Sequence, residues 1–206
     1  MPRSIARDHE DKRARILTIA AQLFAAQGYA QASMAQVSQA CGISKANIYH
    51  YYPSKAALLF DILRTYLGDL RDKVCGLDGA GRDPSEQLYA LTLEILLAYE
   101  GMDPLHKIQT ECLHLLPEEQ QEVLRGYQRD MVRALSGGLL ALAPEAFAAD
   151  RERLHHSTMS IFGMLNWFYM WNGGADATAR QAYARLVTDM VVGGVNGPRT
   201  PPTQPH

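Results

Sequence analysis

The chain has 206 residues, enough for one or two domains with a real core, and its 47% apolar and 20% charged residues are ordinary for a soluble protein. No apolar run reaches the roughly 18 residues of a membrane span, and the polar amino terminus does not resemble a signal peptide, so we expect a cytoplasmic protein without membrane contact. Cys41, Cys75 and Cys112 are odd in number and far apart, which excludes a disulfide scaffold and favours buried thiols over redox sensors.

Charge is distributed unevenly along the chain, although the net charge is only −2. Residues 1–73 carry 10 Lys/Arg and 6 Asp/Glu, a net charge of +4, whereas residues 74–206 carry 10 and 16, a net charge of −6. Residues 12–60 contain no carboxylate, although the average composition of the chain would give about five. Because a carboxylate that faces phosphates is repelled, this acid-free stretch predicts a polyanionic partner.

The first predicted helix covers residues 11–27, where apolar residues recur with the spacing of one buried stripe. Gly28 is expected to end this helix. Residues 1–10 are predicted to form a mobile polar arm. Arg3 and Arg7 of this arm either belong to a disordered leader or reach into the minor groove of DNA.

A helix–turn–helix pattern follows. Ser33 and Gln36 have the spacing of a capping box at the start of a short helix. Gly42 is expected to end that helix, because glycine enters a left-handed turn without steric cost. Ser44 then caps a second short helix, which ends before Pro53 because the residue preceding a proline is pushed out of the helical region.

The second helix of this pattern has two unlike faces. Ile48 and Tyr52 are four residues apart and share a face that can pack inward. The other side chains are unusual for a core: Lys45, Asn47, Tyr49 and Tyr51. Lysine can neutralise a phosphate, asparagine can pair with a base edge, and tyrosine hydroxyls can reach phosphates. We therefore predict that this helix lies in the major groove of DNA.

Two segments, LFAAQGY at 23–29 and SMAQVSQACGISKANIYHYYPSKAALL at 33–59, resemble the DNA-binding domain of the TetR/AcrR family of bacterial repressors. The run G-I-S-K-x-x-I-Y-x-Y-Y-P-S-K at 42–55 is the most specific part of this resemblance. Tyr52 stands where a phenylalanine is commoner, so its hydroxyl needs a partner. Asn47 stands where small or hydroxyl residues are frequent, and we expect it to alter the choice of operator.

The resemblance implies an all-α fold. It has an amino-terminal three-helix helix-turn-helix domain at residues 1–53 and a larger helical ligand-binding and dimerisation domain at residues 54–197. The proline-rich residues 198–206 are predicted to be a disordered tail. In the family, the lysine that matches Lys55 contacts a phosphate. The predicted DNA contacts are Ser33, Ser44, Lys45, Ala46, Asn47, Tyr49, His50, Tyr51 and Lys55.

Apolar periodicity predicts six further helices beyond the DNA-binding pattern. They cover about 55–74, 85–100, 104–116, 118–142, 150–171 and 178–192. In the fifth of these, the segment TMSIFGMLNWFYMW is apolar almost all round and must be covered on every side. One side can pack within the subunit, and the other is predicted to meet a second subunit together with the last helix, in a four-helix interface across a twofold axis.

Aromatic and polar side chains near the middle of the later helices are either plain core or the lining of a pocket for a small-molecule effector. These candidates are Tyr66, Tyr99, Gln109, Tyr127, Phe162, Asn166 and Trp167. The segment FGMLNWFYMWNGG also resembles family members that sense acyl-CoA thioesters. Arg125, Arg129 and Arg133 recur every four residues, which indicates either a solvated stripe or a phosphate site for a ligand such as coenzyme A.

The sequence contains no nucleotide-binding loop, hydrolase nucleophile motif or zinc motif, and its seven histidines are scattered. We therefore expect neither an enzyme nor a metal or cofactor. We interpret the chain as a ligand-responsive transcriptional regulator, a repressor that binds a palindromic operator as a homodimer and is released by a small molecule such as an acyl-CoA. The alternative, an oligomeric scaffold, leaves the acid-free stretch unexplained.

Overall fold

The computed structural model describes residues 2–196, and within this range all regular elements are helical, which confirms the predicted fold class. The α-helices are α1 (Pro2–Gln27), α2 (Met34–Cys41), α3 (Lys45–Tyr51), α4 (Lys55–Cys75), α5 (Pro84–Ala98), α6 (Asp103–Cys112), α7 (Glu118–Leu142), α8 (Pro144–Phe147), α9 (Arg151–Trp171) and α10 (Ala177–Asn196). A 3-10 turn, Leu113–Leu115, follows α6. The predicted disordered tail at residues 198–206 lies outside the described residues.

The largest difference from the predicted helices is at the start of the chain. The predicted mobile arm is wrong, because α1 begins at Pro2 and residues 2–10 are helical. Proline is tolerated at the first position of a helix, and no glycine or second proline follows before Gly28. The apolar stripe that guided the prediction begins only at Ile16, so periodicity gave no sign of the earlier turns. The side chains of Arg3 and Arg7 lie outside the described residues.

The other differences are small. Helix α8 was not predicted, because four residues are too few to display a helical period. Helix α6 ends at Cys112, where the chain tightens into the 3-10 turn, whereas the sequence predicted one helix up to residue 116.

The chain forms two compact units. The amino-terminal unit runs up to Asp72 and includes Gly101–Arg129, and the carboxyl-terminal unit comprises Lys73–Glu100 and the residues from Asp130 onward. The division therefore passes through α4 and α7, whereas the sequence placed a boundary after residue 53. The predicted boundary follows the end of the local helix-turn-helix motif, whereas the two units are defined by which helices pack together.

The amino-terminal unit is built on one apolar core. Its buried side chains come mainly from α1 and α4: Ile16, Ala20, Phe24, Leu58, Leu59, Ile62 and Leu63. Each fully buried leucine, isoleucine or phenylalanine side chain contributes about 1.5–3 kcal/mol to stability. Helix α6 is attached to α1 by Lys107 Nζ, which donates to the carbonyl of Ala25 at 3.0 Å. This core leaves the short helices α2 and α3 at the surface of the unit.

The carboxyl-terminal unit packs α5 against α7, α9 and α10. Arg180, a buried residue of α10, donates from its guanidinium to the Leu96 carbonyl at the end of α5 at 2.9 Å. On α7, a Cβ at Gly138 would lie 3.1 Å from Leu91 Cδ1, so glycine permits the close approach of α7 to α5. The hydroxyls of Ser136 and Thr158 join α7 to α9 at 2.9 Å.

Candidate nucleic-acid interface

The turn between α2 and α3 has the geometry that the sequence predicted. Ser33 Oγ accepts a hydrogen bond from Gln36 N at 3.2 Å, and the Gln36 side chain accepts one from Ser33 N at 2.8 Å, which completes the capping box. Gly42 has φ +68°, in the left-handed region that favours glycine. Ser44 Oγ accepts from Asn47 N at 3.1 Å. These local bonds fix where α2 ends and where α3 begins.

Helix α3 separates its side chains into the two predicted faces. Ile48 and Tyr52 are buried against the rest of the unit. Five other side chains are exposed: Lys45, Ala46, Asn47, Tyr49 and His50. Tyr49 is 43% exposed, so its ring and hydroxyl are accessible to a partner. The exposed face therefore offers a cation, an amide, an imidazole and a phenol to a partner.

Tyr51 is half-buried, and the structure gives it a neighbour that the sequence did not predict. The ring of His9, on α1, stacks on the ring of Tyr51 with centroids 4.8 Å apart and planes 27° apart. The His50 ring meets Tyr51 edge-on at 6.0 Å. The helical extension of α1 thus contacts α3 from the side. His9 could not be found from the sequence, because it lies in the stretch that has no apolar period.

Lys55 makes contacts within the chain that differ from the phosphate contact implied by the resemblance. Its Nζ donates to the carbonyls of Tyr29 at 2.7 Å, Ala32 at 2.8 Å and Ala30 at 3.3 Å. The ammonium also lies 4.4 Å from the centroid of the Tyr29 ring. An ammonium has three N–H donors, and here each has a carbonyl acceptor. Lys55 therefore holds the loop between α1 and α2.

The hydroxyl of Tyr52 has the partner that the sequence required. It donates to Asp61 Oδ2, on α4, at 2.7 Å. Burial, and then this hydrogen bond, raise the pKa of Tyr52 well above its usual value, so the hydroxyl keeps its proton and remains a donor.

Two family models match the chain. Residues 16–62 match the model described as "Bacterial regulatory proteins, tetR family", and residues 81–195, more than half of the chain, match "Tetracyclin repressor-like, C-terminal domain". The chain belongs to the TetR family of transcriptional regulators. TetR regulators bind DNA operators and small-molecule effectors and are dimeric. The matched families and relatives are regulators and not enzymes, which confirms the prediction on that point.

Relatives of known name or structure give the same family. The HTH-type transcriptional repressor KstR2 of Rhodococcus jostii (strain RHA1) is 33% identical over 113 residues, which are 53% of this chain and 54% of KstR2, so the chain spans about half the length of that relative. A TetR-family transcriptional regulator from Bordetella parapertussis 12822 has a TM-score of 0.80 at 32% identity and covers 87% of this chain and 93% of its own. AibR in complex with isovaleryl coenzyme A and operator DNA shares the fold, with a TM-score of 0.70 at 22% identity over 89% of this chain and 97% of AibR.

The effector-pocket candidates of this TetR-family chain are divided between the two units. Tyr66, Gln109 and Tyr127 belong to the amino-terminal unit, and Tyr99, Phe162, Asn166 and Trp167 belong to the carboxyl-terminal unit. In the first, the Tyr66 hydroxyl lies 3.4 Å from Nδ1 of buried His106, and burial lowers the pKa of His106. In the second, the Tyr99 hydroxyl donates to Asn166 Oδ1 at 2.7 Å. Trp167 differs from the other candidates, because it is 62% exposed and joins the outward-facing apolar side chains of α9.

The arginine row on α7 forms ion pairs along its own helix. Arg125 pairs with Glu118 at 2.8 Å, Arg129 with Glu122 at 2.6 Å and Arg133 with Asp130 at 3.0 Å. The hydrogen bond from Arg129 lowers the pKa of the Glu122 carboxyl. This arrangement agrees with the solvated stripe and gives no support to a phosphate site.

Within residues 9–195, whose side chains the structure describes, no group of three histidine, cysteine or carboxylate side chains is placed to hold a metal ion. No helix in that range is both long enough and apolar enough to cross a membrane. Of the three cysteines, Cys41 and Cys112 are buried, as expected, whereas Cys75 is exposed at the end of α4.

Proposed function

We propose that this TetR-family chain is a ligand-responsive repressor that acts in the cytoplasm and binds a palindromic operator as a homodimer. The observation that carries the proposal is the exposed face of α3, which offers Lys45, Asn47 and Tyr49 within a stretch of 49 residues that has no carboxylate. A surface without acids attracts phosphates, and exposed amide and ammonium groups can read base edges. Residues 1–53 form the DNA-binding domain and residues 54–197 the ligand-binding and dimerisation domain.

Two kinds of contact make up the proposed DNA surface. Lys45, Ala46, Asn47, Tyr49, His50 and Tyr51 of α3 face the major groove. Ser33 and Ser44 cap α2 and α3, and the amino-terminal ends of these helices make the second kind of contact, with phosphates. For Lys55, the three carbonyl bonds favour a role in holding the loop before α2 over the phosphate contact that the resemblance implied.

The dimer is proposed to form through α9 and α10. These helices carry exposed apolar side chains that a lone subunit leaves uncovered: Met159, Trp167, Met170, Trp171, Leu186 and Met190. Large exposed apolar patches mark protein interfaces, and a twofold dimer covers the same patch on both copies. A twofold dimer also presents two copies of α3, which is why the operator should be a palindrome with half-sites about one helical turn or slightly more apart.

The effector is proposed to be a small molecule with an acyl-CoA thioester as the first candidate class. AibR, which shares the fold, was solved with isovaleryl coenzyme A and operator DNA. Here the buried pair Tyr66–His106 and the half-buried pair Tyr99–Asn166 supply polar groups, which effector sites need. A thermal-shift screen of short-chain, aromatic and steroid CoA thioesters tests the class, because a ligand at 100 times its Kd adds about 2.7 kcal/mol. A panel without any stabilising thioester would contradict it.

The DNA proposal is tested with Asn47→Ala. A duplex is first selected by the wild-type protein from a random library, and affinity is then measured for this duplex and for a scrambled one. Loss of a bidentate base contact should lower the preference by about tenfold, because such contacts are worth about 1–3 kcal/mol. Gln181→Ala, on the exposed surface of α10, is the control and should keep the preference. An Asn47→Ala protein with unchanged preference would contradict the assignment of α3.

A further inference from the structure

The carboxylate that ends the acid-free stretch is Asp61, and the structure buries it. Asp61 lies on α4 and is only 7% exposed. Burying a carboxylate is costly unless charges and hydrogen bonds compensate for the water that it loses. The burial of Asp61 near the end of α3 must therefore be explained by the contacts that its carboxylate makes.

Three side chains bind the Asp61 carboxylate. Arg13 Nη2, from α1, contacts both Oδ1 and Oδ2 at 2.6 Å. Arg64 Nη2, from the next turn of α4, contacts Oδ1 at 3.2 Å. The Tyr52 hydroxyl donates to Oδ2 at 2.7 Å. The carboxylate thus joins α1, α4 and the end of α3 through one group, and the two guanidinium groups neutralise it.

Tyr52 is the residue through which this cluster reaches the DNA surface. It is the C-cap of α3, and its N–H donates to the Ile48 carbonyl at 2.9 Å. A helix of seven residues has few contacts of its own to set its direction. Its amino-terminal end is fixed by the turn at Gly42, and its carboxyl-terminal end is fixed by the ring and hydroxyl of Tyr52.

We infer that Asp61 is a positioning residue for DNA recognition: through the Tyr52 hydroxyl, its carboxylate fixes the direction in which α3 presents Lys45 and Asn47. This inference rests on the proposed DNA surface. Stability alone does not account for the cluster, because a buried ion pair contributes little or no net stability compared with apolar side chains of the same size. A directed hydrogen bond to a fixed carboxylate does determine geometry, and base readout depends on geometry.

The test is Tyr52→Phe, which removes the hydroxyl and keeps the ring packed. Affinity is measured by fluorescence anisotropy for the duplex selected by the wild-type protein and for a scrambled duplex, at one salt concentration. We expect affinity for the selected duplex to fall about tenfold and affinity for the scrambled duplex to change by less than about twofold. Ser136→Ala, which removes a hydroxyl bonded at 2.9 Å in the carboxyl-terminal unit, is the matched control and should change neither value.

A double-mutant cycle tests whether Asp61 acts through Tyr52. Asp61→Ala, which removes both acceptor oxygens, should weaken binding to the selected duplex in the wild-type background and should have a clearly smaller effect in the Tyr52→Phe background, because the shared hydrogen bond is already absent there. Additive effects of the two substitutions on affinity would overturn the inference. A purely structural role would lower the affinities for both duplexes together with the thermal stability, and that result would overturn it too.

The outcomes also separate this inference from the proposed function. If the wild-type protein prefers no duplex, the proposed function fails. If the wild-type protein prefers the selected duplex and Tyr52→Phe keeps that preference in full, the DNA surface stands and the role of Asp61 is refuted.

Discussion

The exposed face of α3 and the exposed face of α9 and α10 depart in opposite ways from an ordinary protein surface. On α3, seven residues expose a lysine, an amide and a phenol in a stretch without acids. On α9 and α10, indole and thioether side chains face outward, with Trp167 62% and Trp171 59% exposed. The first surface suits phosphates and base edges, and the second suits another apolar surface. The kind of side chain that packing leaves outside thus indicates the kind of partner.

The largest expected effect comes from placing a charge on the apolar surface. Leu186→Glu should break the dimer, because a carboxylate buried in an apolar interface has no partner. Sedimentation at micromolar concentration should show monomers, and affinity for the selected duplex should fall by more than about 100-fold, since a monomer presents one α3. Gln181→Glu adds the same charge on the other side of α10 and should leave the dimer intact. A dimeric Leu186→Glu protein would place the interface elsewhere.

Two lysines sharpen the comparison: Lys45, the first residue of α3, and Lys55, the first residue of α4, should respond differently to one substitution. Lys45→Met should lower the slope of log affinity against log salt by about 0.9 per lost phosphate contact and leave stability within about 0.5 kcal/mol. Lys55→Met should reduce the free energy of unfolding by about 1.5–3 kcal/mol and leave the slope unchanged, since it removes bonds to carbonyls. Denaturant unfolding and salt titrations measure both. A reduced salt slope for Lys55→Met would indicate instead that Lys55 contacts a phosphate.

The faces of α3 could be predicted from the sequence because the signals are local. Gly42, Ser44 and Pro53 delimit the helix, and the spacing of Ile48 and Tyr52 defines its buried side. The same kind of signal predicted α7 with the bounds that the structure has. Local spacing is sufficient wherever a helix is defined by its own caps and its own apolar stripe.

The contacts that support α3 could not be predicted, because they join residues far apart in the chain. Arg13 and Asp61 are 48 positions apart, and Lys55 reaches carbonyls 23 to 26 positions earlier. No period or spacing rule relates such residues. His9 was assigned to a mobile arm for the same reason, since the turns that carry it have no buried stripe of their own.

A smaller effect is expected at the stack between α1 and α3. His9→Ala should weaken binding to the selected duplex by a few fold, because Tyr51 loses the ring that orients it, and an aromatic pair is worth about 0.5–1.5 kcal/mol. His9→Phe keeps the stack and should bind within about twofold of wild type. Anisotropy titrations distinguish the two. If His9→Phe is as weak as His9→Ala, the imidazole contacts the DNA itself.

The smallest effect concerns pH and a buried residue that belongs to neither surface. Burial lowers the pKa of His106, with Asp103 opposing that shift, so the native state binds a proton less readily than the unfolded chain. The contribution of neutral His106 to stability is therefore complete above the pKa of the unfolded chain, about 6.5, and is lost as pH falls below that value. His106→Gln should lose less Tm than wild type between about pH 7.5 and about pH 5.5. An equal loss of Tm in both proteins would contradict this.

Hydroxyl-radical footprinting with mass spectrometry compares the two surfaces in a single sample. Oxidation is followed at Tyr49 and at Trp171 in the dimer, with and without saturating amounts of the selected duplex. We predict that the duplex strongly reduces oxidation of Tyr49 and leaves oxidation of Trp171 unchanged, because in the proposed dimer the second subunit covers α9 with or without DNA. Unchanged oxidation of Tyr49 in the presence of bound duplex would contradict the proposal that α3 reads DNA.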